Sequence, residues 1–389
     1  MRLRLRLRRD RRQKAEIGRQ DGTTDRPGVV LKSTDTKHGH GTRMEILTID
    51  IGAGTQDILL FDSKKKIENC TSLVLPTPSK IFSERLKTIE GNVFIYGDTI
   101  GGGSLARVIL SHIQRGYRVV MEESAAYSIR NDLDEVTSMG IEVGRKPESD
   151  PFQELEIREI NLPLLKEFLS QLGEDFNFDV IAIAVQDHGV SPKGISDRAF
   201  RFENMERMLR KDNRPEAFHF LEDSIPDYYL RMKSAVAAVK RAFSVPVLVM
   251  DTCFSAILGC LDEITGPSLV VNVGNGHTIA ALLVEKRIEG LYEHHTHELT
   301  PEKIEHDLRL FVRGELDGKK VFKENGHGAT TLNPLPGVFA VMVTGPNRDL
   351  FKKTSFKFTY ASPGGNTMMT GPMGLVRAAQ YSLGQIADS

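Results

Sequence analysis

Two segments of the chain share one pattern of apolar and polar positions: a mostly apolar strand, a polar residue at its end, a glycine turn and a second apolar strand. The segments span residues 46–61 and 268–284. The polar strand end and the turn glycines are Asp50, Gly52 and Gly54 in the first segment, and Asn272, Gly274 and Gly276 in the second. Glycine permits a tight turn and leaves backbone amides bare for a closely approaching anion. One such hairpin is equally well explained as an ordinary turn, but the repeat predicts two facing hairpins that clamp a polyphosphate.

The remaining periodicity predicts strands that alternate with helices, and therefore an α/β fold. Apolar runs typical of buried strands cover residues 92–97, 119–121, 178–185, 245–250 and 338–344. Helical spacing covers residues 105–115, 122–139, 162–172, 196–211, 228–243, 301–316 and 367–383. The run at 178–185 is apolar without alternation, which is typical of a central strand in a parallel sheet. Residues 72–82 are predicted as a loop and residues 144–158 as a surface connection.

Polar side chains follow the predicted central strand. Asp187 and His188 come directly after it, and open α/β sheets place ligands at the carboxyl ends of their strands. Both residues are therefore candidates for substrate contact or proton transfer, with ordinary turn chemistry as the alternative. In the next helix, Asp197 and Arg201 have the four-residue spacing of a surface ion pair.

A histidine-rich stretch at residues 293–298 contains three histidines and two glutamates. The candidate metal ligands are His294, His295 and His297. If the chain is extended there, His295 and His297 share one face and His294 lies on the other. A zinc site needs three or four converging ligands, so phosphate contact by this stretch is the favoured interpretation and a metal site is the alternative.

Composition and charge narrow the class of protein. The chain has 389 residues, 40% of them hydrophobic and 26% charged, which fits two globular domains. The net charge of −1 is unevenly distributed, because residues 1–43 carry +8 and the remainder −9. An acidic body argues against nucleic acid as the main partner, and no apolar run is long enough to span a membrane.

Residues 1–43 form a basic extension whose polar composition predicts disorder. They are interpreted as a segment upstream of a true start at Met44, with a basic binding arm as the alternative. The chain contains three cysteines, Cys70, Cys253 and Cys260, and none forms a C-x-x-C pair. This pattern predicts a reducing, cytoplasmic location and offers no cysteine motif for a radical iron–sulfur enzyme.

The order of these motifs resembles that of the actin-like ATPase superfamily, which includes DnaK-type chaperones, hexokinases, acetate kinase and carbohydrate kinases. The resemblance covers residues 44–389. It implies a two-lobed α/β fold in which each lobe is a mixed β-sheet flanked by helices, a duplicated ribonuclease-H-like lobe. Lobe I is expected at residues 44–265 with 367–389, and lobe II at 266–366. More narrowly, the chain resembles archaeal and anaerobe proteins labelled pyruvate formate-lyase activating enzyme-like.

The resemblance implies ATP and Mg²⁺ as ligands and a role for each matching residue. The first phosphate motif comprises Asp50, Gly52, Gly54, Thr55 and Gln56, and the second comprises Asn272, Gly274, Gly276, His277 and Thr278. Asp50 is expected to organise Mg²⁺, Asp251 to position the attacking water or the metal, and Gly345 to contact adenosine. Gly371 and Gly374 are expected in the second connecting helix.

Two further matches bear on the type of reaction. Residues 181–189 are similar to a substrate-contacting strand end of carbohydrate kinases, and Asp197 follows where those kinases place an acid on the acceptor hydroxyl. Asn272 departs from the family, which usually has aspartate there. Asparagine accepts a hydrogen bond but brings no negative charge to Mg²⁺, which implies nucleotide binding without fast hydrolysis as an alternative.

Three functions follow as hypotheses. The first is Mg-dependent phosphotransfer from ATP, by an ATPase or a small-molecule kinase in which Asp187 or Asp197 orients the acceptor. The second is a nucleotide-dependent switch that presents a surface to a protein partner without appreciable turnover. The third is a metal-dependent hydrolase centred on His294, His295 and His297, with His327 as a further candidate ligand. The oligomeric state stays open.

Overall fold

The structure is a computed structural model, and it describes residues 43–148, 150–335, 337 and 339–384. The prediction of a disordered extension falls on residues 1–42, which lie outside the described residues, together with Arg43 at their edge. In the part of the chain that is described, the strands are β1 Glu45–Ile51, β2 Thr55–Asp62, β3 Thr71–Pro76, β4 Val93–Gly97, β5 Val119–Met121, β6 Glu142–Val143, β7 Gln153–Ile157, β8 Val180–Val185, β9 His219–Leu221, β10 Val247–Met250, β11 Ser268–Val273, β12 His277–Val284, β13 Arg287–His295, β14 Gly328–Thr331, β15 Ala340–Thr344 and β16 Thr359–Tyr360.

The α-helices of the same residues are α1 Pro78–Lys87, α2 Leu105–Gln114, α3 Glu123–Ala126, α4 Leu133–Ser138, α5 Leu162–Gln171, α6 Asp197–Lys211, α7 Leu230–Lys240, α8 Thr252–Gly259, α9 Pro301–Val312, α10 Gly318–Lys323 and α11 Thr370–Ser382. Short 3₁₀ segments occupy Ile67–Asn69, Pro215–Phe218, Leu261–Glu263, Thr296–Glu298, Arg348–Lys353, Pro363–Gly365 and Thr367–Met369.

Two six-stranded sheets repeat one topology. The first has the order β3-β2-β1-β8-β10-β9, with β1–β3 antiparallel and β8 and β10 parallel to β1. The second has the order β14-β13-β12-β11-β15-β16. Strands β11, β12 and β13 pair antiparallel, β15 pairs parallel with β11, and β16 pairs parallel with β15. In each sheet a three-stranded meander is extended by two parallel strands on the side of its first strand. Each sheet has one further antiparallel strand, β9 beside β10 in the first and β14 beside β13 in the second. This is the duplicated, two-lobed arrangement predicted from the sequence, and the predicted fold class is confirmed.

A third, four-stranded parallel sheet with the order β6-β5-β4-β7 was not predicted. Its strand β7 lies within residues 144–158, so the prediction of a surface connection there was wrong. The prediction of a loop at residues 72–82 was also wrong, because β3 and the start of α1 occupy it. Pro78 stands at the first position of α1, where proline needs no backbone donor, and the Thr77 side chain caps that helix.

One hydrophobic core lies between the two six-stranded sheets. It joins Ile46 and Ala182 of the first sheet to Ile279 of the second through residues of α8 and α11. These two helices cross with their backbones in contact, because a Cβ at Gly259 would overlap the Thr370 carbonyl oxygen. The outer face of the first sheet is covered by α5 and α7, and that of the second by α9. Among the described helices, none has both the length and the apolar character needed to cross a bilayer.

Candidate functional site

A cleft of about 640 Å³ opens between the two six-stranded sheets. The predicted site residues that line it are Asp50, Gly52, Gly54, Thr55, Asp187, His188, Asp197, Asn272, Gly274, Gly276, His277 and Gly345. The glycine-rich segment after β4 and the arginines Arg130, Arg198, Arg231 and Arg348 also line it. The predicted residues outside this lining are Gln56, Asp251, Thr278, His294, His295 and His297. Most of the sequence-predicted site therefore converges on one cavity.

The two glycine turns have the same hydrogen bonding and meet at their tips. Gly52 N donates to the Thr55 carbonyl over 3.0 Å, and Gly274 N donates to the His277 carbonyl over the same distance. A Cβ at Gly54 would overlap the side-chain amide of Asn275, so the tip of the second turn lies directly against the first. The turns therefore offer backbone amides from both sheets to one region of the cleft, an arrangement that suits an anion.

Two partly buried carboxyl groups face each other across the first hairpin. The register of β1 and β2 pairs Asp50 with Asp57, and each has a buried Oδ1 atom with no hydrogen-bond partner among the described residues. Burial, reinforced by the charge of Asp57, raises the pKa of Asp50 well above its usual range. Burial also raises the pKa of Asp57 to about 6. Helix α11 approaches so closely that a Cβ at Gly371 would overlap Asp50 Oδ2.

These features fit the ligands that the resemblance implies. Mg²⁺ is bound by one or two carboxylates together with phosphate oxygens and waters. The unpartnered oxygens of Asp50 and Asp57 could hold such an ion, and the bare turns beside them are suited to phosphates. Asp57 was missed from the sequence, although a turn over residues 52–55 already implies that residue 57 pairs with residue 50.

Behind the cleft, a buried guanidinium joins the two sheets. Arg201 of α6 donates to both carboxylate oxygens of Asp251, at 2.6 and 3.2 Å, and to both oxygens of Glu293, at 3.0 Å. Asp251 also caps α8 by accepting from Cys253 N. Burial acts to raise the pKa of Asp251, but the charge and hydrogen bonds of Arg201 outweigh it and hold that pKa well below its usual range. The expected surface pair of Arg201 with Asp197 does not form.

The two candidate acceptor-orienting acids lie in different surroundings. Both oxygens of Asp187 accept backbone N–H groups, from Gly189 and Met232, and burial raises its pKa. Asp197 is the first residue of α6, and its carboxylate accepts hydrogen bonds from the Asn131 side chain at 3.0 Å and from the Ser191 hydroxyl at 2.7 Å. Asp197 is less buried than Asp187, so its carboxylate is the more accessible of the two from the cleft.

Three histidines from distant parts of the chain meet beside the cleft, and we call His188, His277 and His327 the imidazole cluster; the first two of them line the cleft. Their ligand nitrogens all lie within 4.8 Å of one another. Burial lowers the pKa of His277 and of His327 to about 2, and it lowers the pKa of His188 well below its usual range. The three rings are therefore neutral at pH 7. From the sequence His327 was a candidate ligand only together with the histidine-rich stretch, because neither its spacing nor its neighbours in the sequence place it beside His188 and His277.

The histidine-rich stretch does not converge on one point. His294 is fully buried with its Nδ1 at the His295 carbonyl, 3.1 Å away. His297 is exposed, at 72% of its side-chain surface. Only the ring of His295 approaches the imidazole cluster, 4.8 Å from His277 and 4.7 Å from His327 between ring centres.

Comparison with known proteins places the chain in a family. A family model described as "Putative pyruvate format-lyase activating enzyme (DUF1786)" matches residues 100–350. The chain belongs to the DUF1786 family. The DUF1786 match includes the second glycine turn and all three residues of the imidazole cluster, whereas the first glycine turn and α11 lie outside it. The search among curated proteins gave no match.

Solved structures similar to this DUF1786 protein include three from different contexts. A Bacteroides thetaiotaomicron protein with an actin-like ATPase fold is 10% identical, with 85% of this chain and 95% of that chain covered and a TM-score of 0.34. The ethanolamine utilization protein EutJ from Carboxydothermus hydrogenoformans is 9% identical, with 87% and 88% covered and a TM-score of 0.32. A chain of the PilM–PilN type IV pilus biogenesis complex is 10% identical, with 87% of this chain and 99% of that chain covered and a TM-score of 0.39. At these TM-scores the similarity carries no argument about activity, and the sheet order of this chain defines its fold.

Proposed function

We propose that this protein binds ATP with Mg²⁺ in the cleft between its two sheets and transfers the terminal phosphoryl group to water or to a small-molecule acceptor. The observation that carries the proposal is the meeting of two glycine turns beside two partly buried carboxyl groups whose Oδ1 atoms have no partner in the described structure. Unpartnered buried carboxylates are costly to a fold. A cation bound to these carboxylates, with phosphates bound to the turns, would supply the missing partners and offset that cost.

Each element of the site has a defined task under this proposal. Asp50 and Asp57 would hold Mg²⁺, which when bound neutralises phosphate charge in phosphoryl transfer. The amides of the two turns would bind and orient the phosphates, and Asp197 would orient the acceptor hydroxyl. Asp187 is buried and accepts backbone N–H groups that support the strand end, so the acceptor is assigned to the more exposed Asp197.

The proposal is tested by thermal unfolding of the full chain with and without Mg·ATP. A ligand at about 100 times its Kd stabilises the folded state by roughly 2.7 kcal/mol. We expect a Mg-dependent rise in the transition temperature for the wild type and for the exposed control Asp134→Asn, and no Mg-dependent rise for Asp50→Asn. A wild type that no nucleotide stabilises, or an Asp50→Asn variant that keeps the full rise, would overturn the proposal.

A nucleotide-dependent switch is the second candidate, and Asn272 favours it. Asn272 lies in the cleft at the end of β11, beside Gly345, and brings no charge to a metal. Under this alternative, Asn272→Asp raises phosphate release from ATP while wild-type release is slow. Unchanged release in Asn272→Asp would count against the switch.

The activity named in the family description is not the one we propose. The three cysteines of the chain are free and buried, and none forms a C-x-x-C pair. Free cysteines support a reducing compartment, and we propose the cytoplasm.

A further inference from the structure

The cleft contains a second set of ligand atoms that phosphotransfer does not use. His188 follows β8 of the first sheet, His277 begins β12 of the second, and His327 precedes β14 of the second. His188 and His327 are 139 residues apart in sequence. The imidazole cluster therefore exists only because the two sheets face each other.

The closest nitrogens of the imidazole cluster have the spacing of two ligands on one ion. His188 Nε2 and His327 Nε2 lie 3.4 Å apart. Two nitrogens that are each about 2.0–2.1 Å from a tetrahedral Zn²⁺ lie about 3.3–3.4 Å from each other. A direct hydrogen bond between two such nitrogens is usually shorter, at about 2.7–3.2 Å. The separations to His277 are at most 4.8 Å, so binding requires a small inward movement of one ring.

We propose that His188, His277 and His327 bind one divalent transition-metal ion, with Zn²⁺ as the ion that best fits three imidazoles and an open fourth position facing the cleft. Imidazole nitrogen suits zinc and its neighbours in the first transition row, whereas Mg²⁺ takes oxygen ligands. The site is therefore chemically separate from Asp50 and Asp57. It needs no nucleotide, so it stands independently of the proposed function.

Groups around the imidazole cluster support this use. Glu293 Oε1 lies 3.7 Å from His277 Nδ1. A carboxylate that accepts from the second ring nitrogen is a usual way in which a metal-binding histidine is oriented. The side-chain amide nitrogen of Gln186 also contacts Nδ1, and this amide has to present its oxygen instead if Nδ1 donates while Nε2 binds the ion. The positive charge of Arg201 is balanced by Asp251 and Glu293. Arg198, also near His327, donates to the carbonyl oxygens of Phe322 and Gly326.

The surroundings of the His327 ring also suit a metal ligand. Its ring is buried, at 2% exposure, and its Nδ1 has no hydrogen-bond partner among the described residues. No neighbour therefore fixes the tautomer of this ring, and Nε2, the nitrogen that faces His188, can present its lone pair to the ion. Since one ligand comes from the first sheet and two from the second, a bound ion would also tie the two sheets together across the cleft.

The experiment measures Zn²⁺ affinity of the full chain after removal of metals with a chelator. Zn²⁺ is titrated in competition with a chromophoric chelator, and Co²⁺ is added separately to report tetrahedral nitrogen coordination by its visible absorption. We expect one equivalent of Zn²⁺ to bind the wild type. His188→Gln, His277→Gln and His327→Gln are each expected to lower affinity about 100-fold or more, since loss of a second-shell group alone costs 10–100-fold.

The matched control is His297→Gln, an exposed histidine of the same chain that lies outside the imidazole cluster, and we expect it to keep wild-type affinity. Asp50→Asn is also expected to keep Zn²⁺ affinity while losing stabilisation by Mg·ATP, which separates this proposal from the proposed function. Thermal unfolding without metal shows which variants are folded, and Zn²⁺ is expected to raise the wild-type transition temperature. The proposal is overturned if the wild type binds no stoichiometric Zn²⁺, if no cluster variant that folds loses affinity, or if His297→Gln loses as much.

Discussion

Arg201 allows the electrostatics of the buried site to be tested, because one guanidinium serves two buried carboxylates. Arg201→Met keeps much of the side-chain volume and removes the charge. Removing one partner of a buried ion pair costs about 3–5 kcal/mol, and here Asp251 and Glu293 both lose theirs. We expect Arg201→Met to lower the free energy of unfolding by at least about 4 kcal/mol at pH 7. At a few degrees per kcal/mol, the transition temperature falls by roughly 10 °C.

The pH dependence of this loss has a defined sign. Arg201 holds the pKa of Asp251 below its usual range although burial acts to raise it, so wild-type stability from this group is present above about pH 4 and is lost as the pH falls. Without Arg201, burial alone raises that pKa, and acid then favours the folded variant. The difference between wild type and Arg201→Met is therefore largest at pH 7–8 and shrinks towards pH 4.

The assay is urea and thermal unfolding of both proteins from pH 8 to pH 4. Arg210→Met is the control on the same helix. Arg210 is exposed, and its ion pair with Glu206, one turn earlier in the helix, contributes at most about 0.5 kcal/mol to stability. The double variant Arg201→Met with Asp251→Asn should recover part of the loss. A destabilisation below about 1 kcal/mol, or one that grows on acidification, would refute the reasoning.

Two further predictions concern the first hairpin. Asp57→Asn should stabilise the fold by about 2 kcal/mol at pH 8 in urea unfolding, because burial raises the pKa of Asp57 to about 6 and its ionised form opposes folding above that pH. The gain should vanish near pH 4, and equal stability of the two proteins at pH 8 would contradict it. Gly371→Ala should displace the Asp50 carboxyl group and abolish stabilisation by Mg·ATP. Gly266→Ala, whose Cβ would meet open space, should leave it unchanged, and Mg·ATP melts that fail to separate these two variants would contradict the prediction.

The hairpins and the central strand could be predicted because their signals are local. A continuous apolar run predicts β8, and a strand followed by a glycine turn predicts β1–β2 and β11–β12 almost to the residue. Residues 72–82 were mispredicted because Pro76 and Pro78 were read as loop signals, whereas Pro76 ends an edge strand and Pro78 begins a helix. Strand β7 has too few apolar residues to stand out from the polar segment around it.

The convergence of side chains from distant segments could not be predicted. The spacing of Arg201 from Asp197 indicates a surface pair, and only the fold shows that this guanidinium is buried between β10 and β13. The imidazole cluster likewise depends on how the two sheets face each other, which no periodicity records. No local pattern pairs His327 with His188 or His277.

The packing of α11 has a consequence for how the chain is made. This helix, formed by residues 370–382, contacts β1, β2, β8 and α8, and its Leu375 and Val376 complete the core between the sheets. Roughly 320 residues separate β1 from α11, which at ribosomal rates of about 5–20 residues per second corresponds to about 15 to 60 s of synthesis. During that time the apolar face of the first sheet that α11 covers in the folded protein stays without this helix, because α11 has not yet been translated. Nascent chains stalled before residue 370 are therefore expected to stay sensitive to protease in their first sheet, and to become resistant once α11 leaves the exit tunnel.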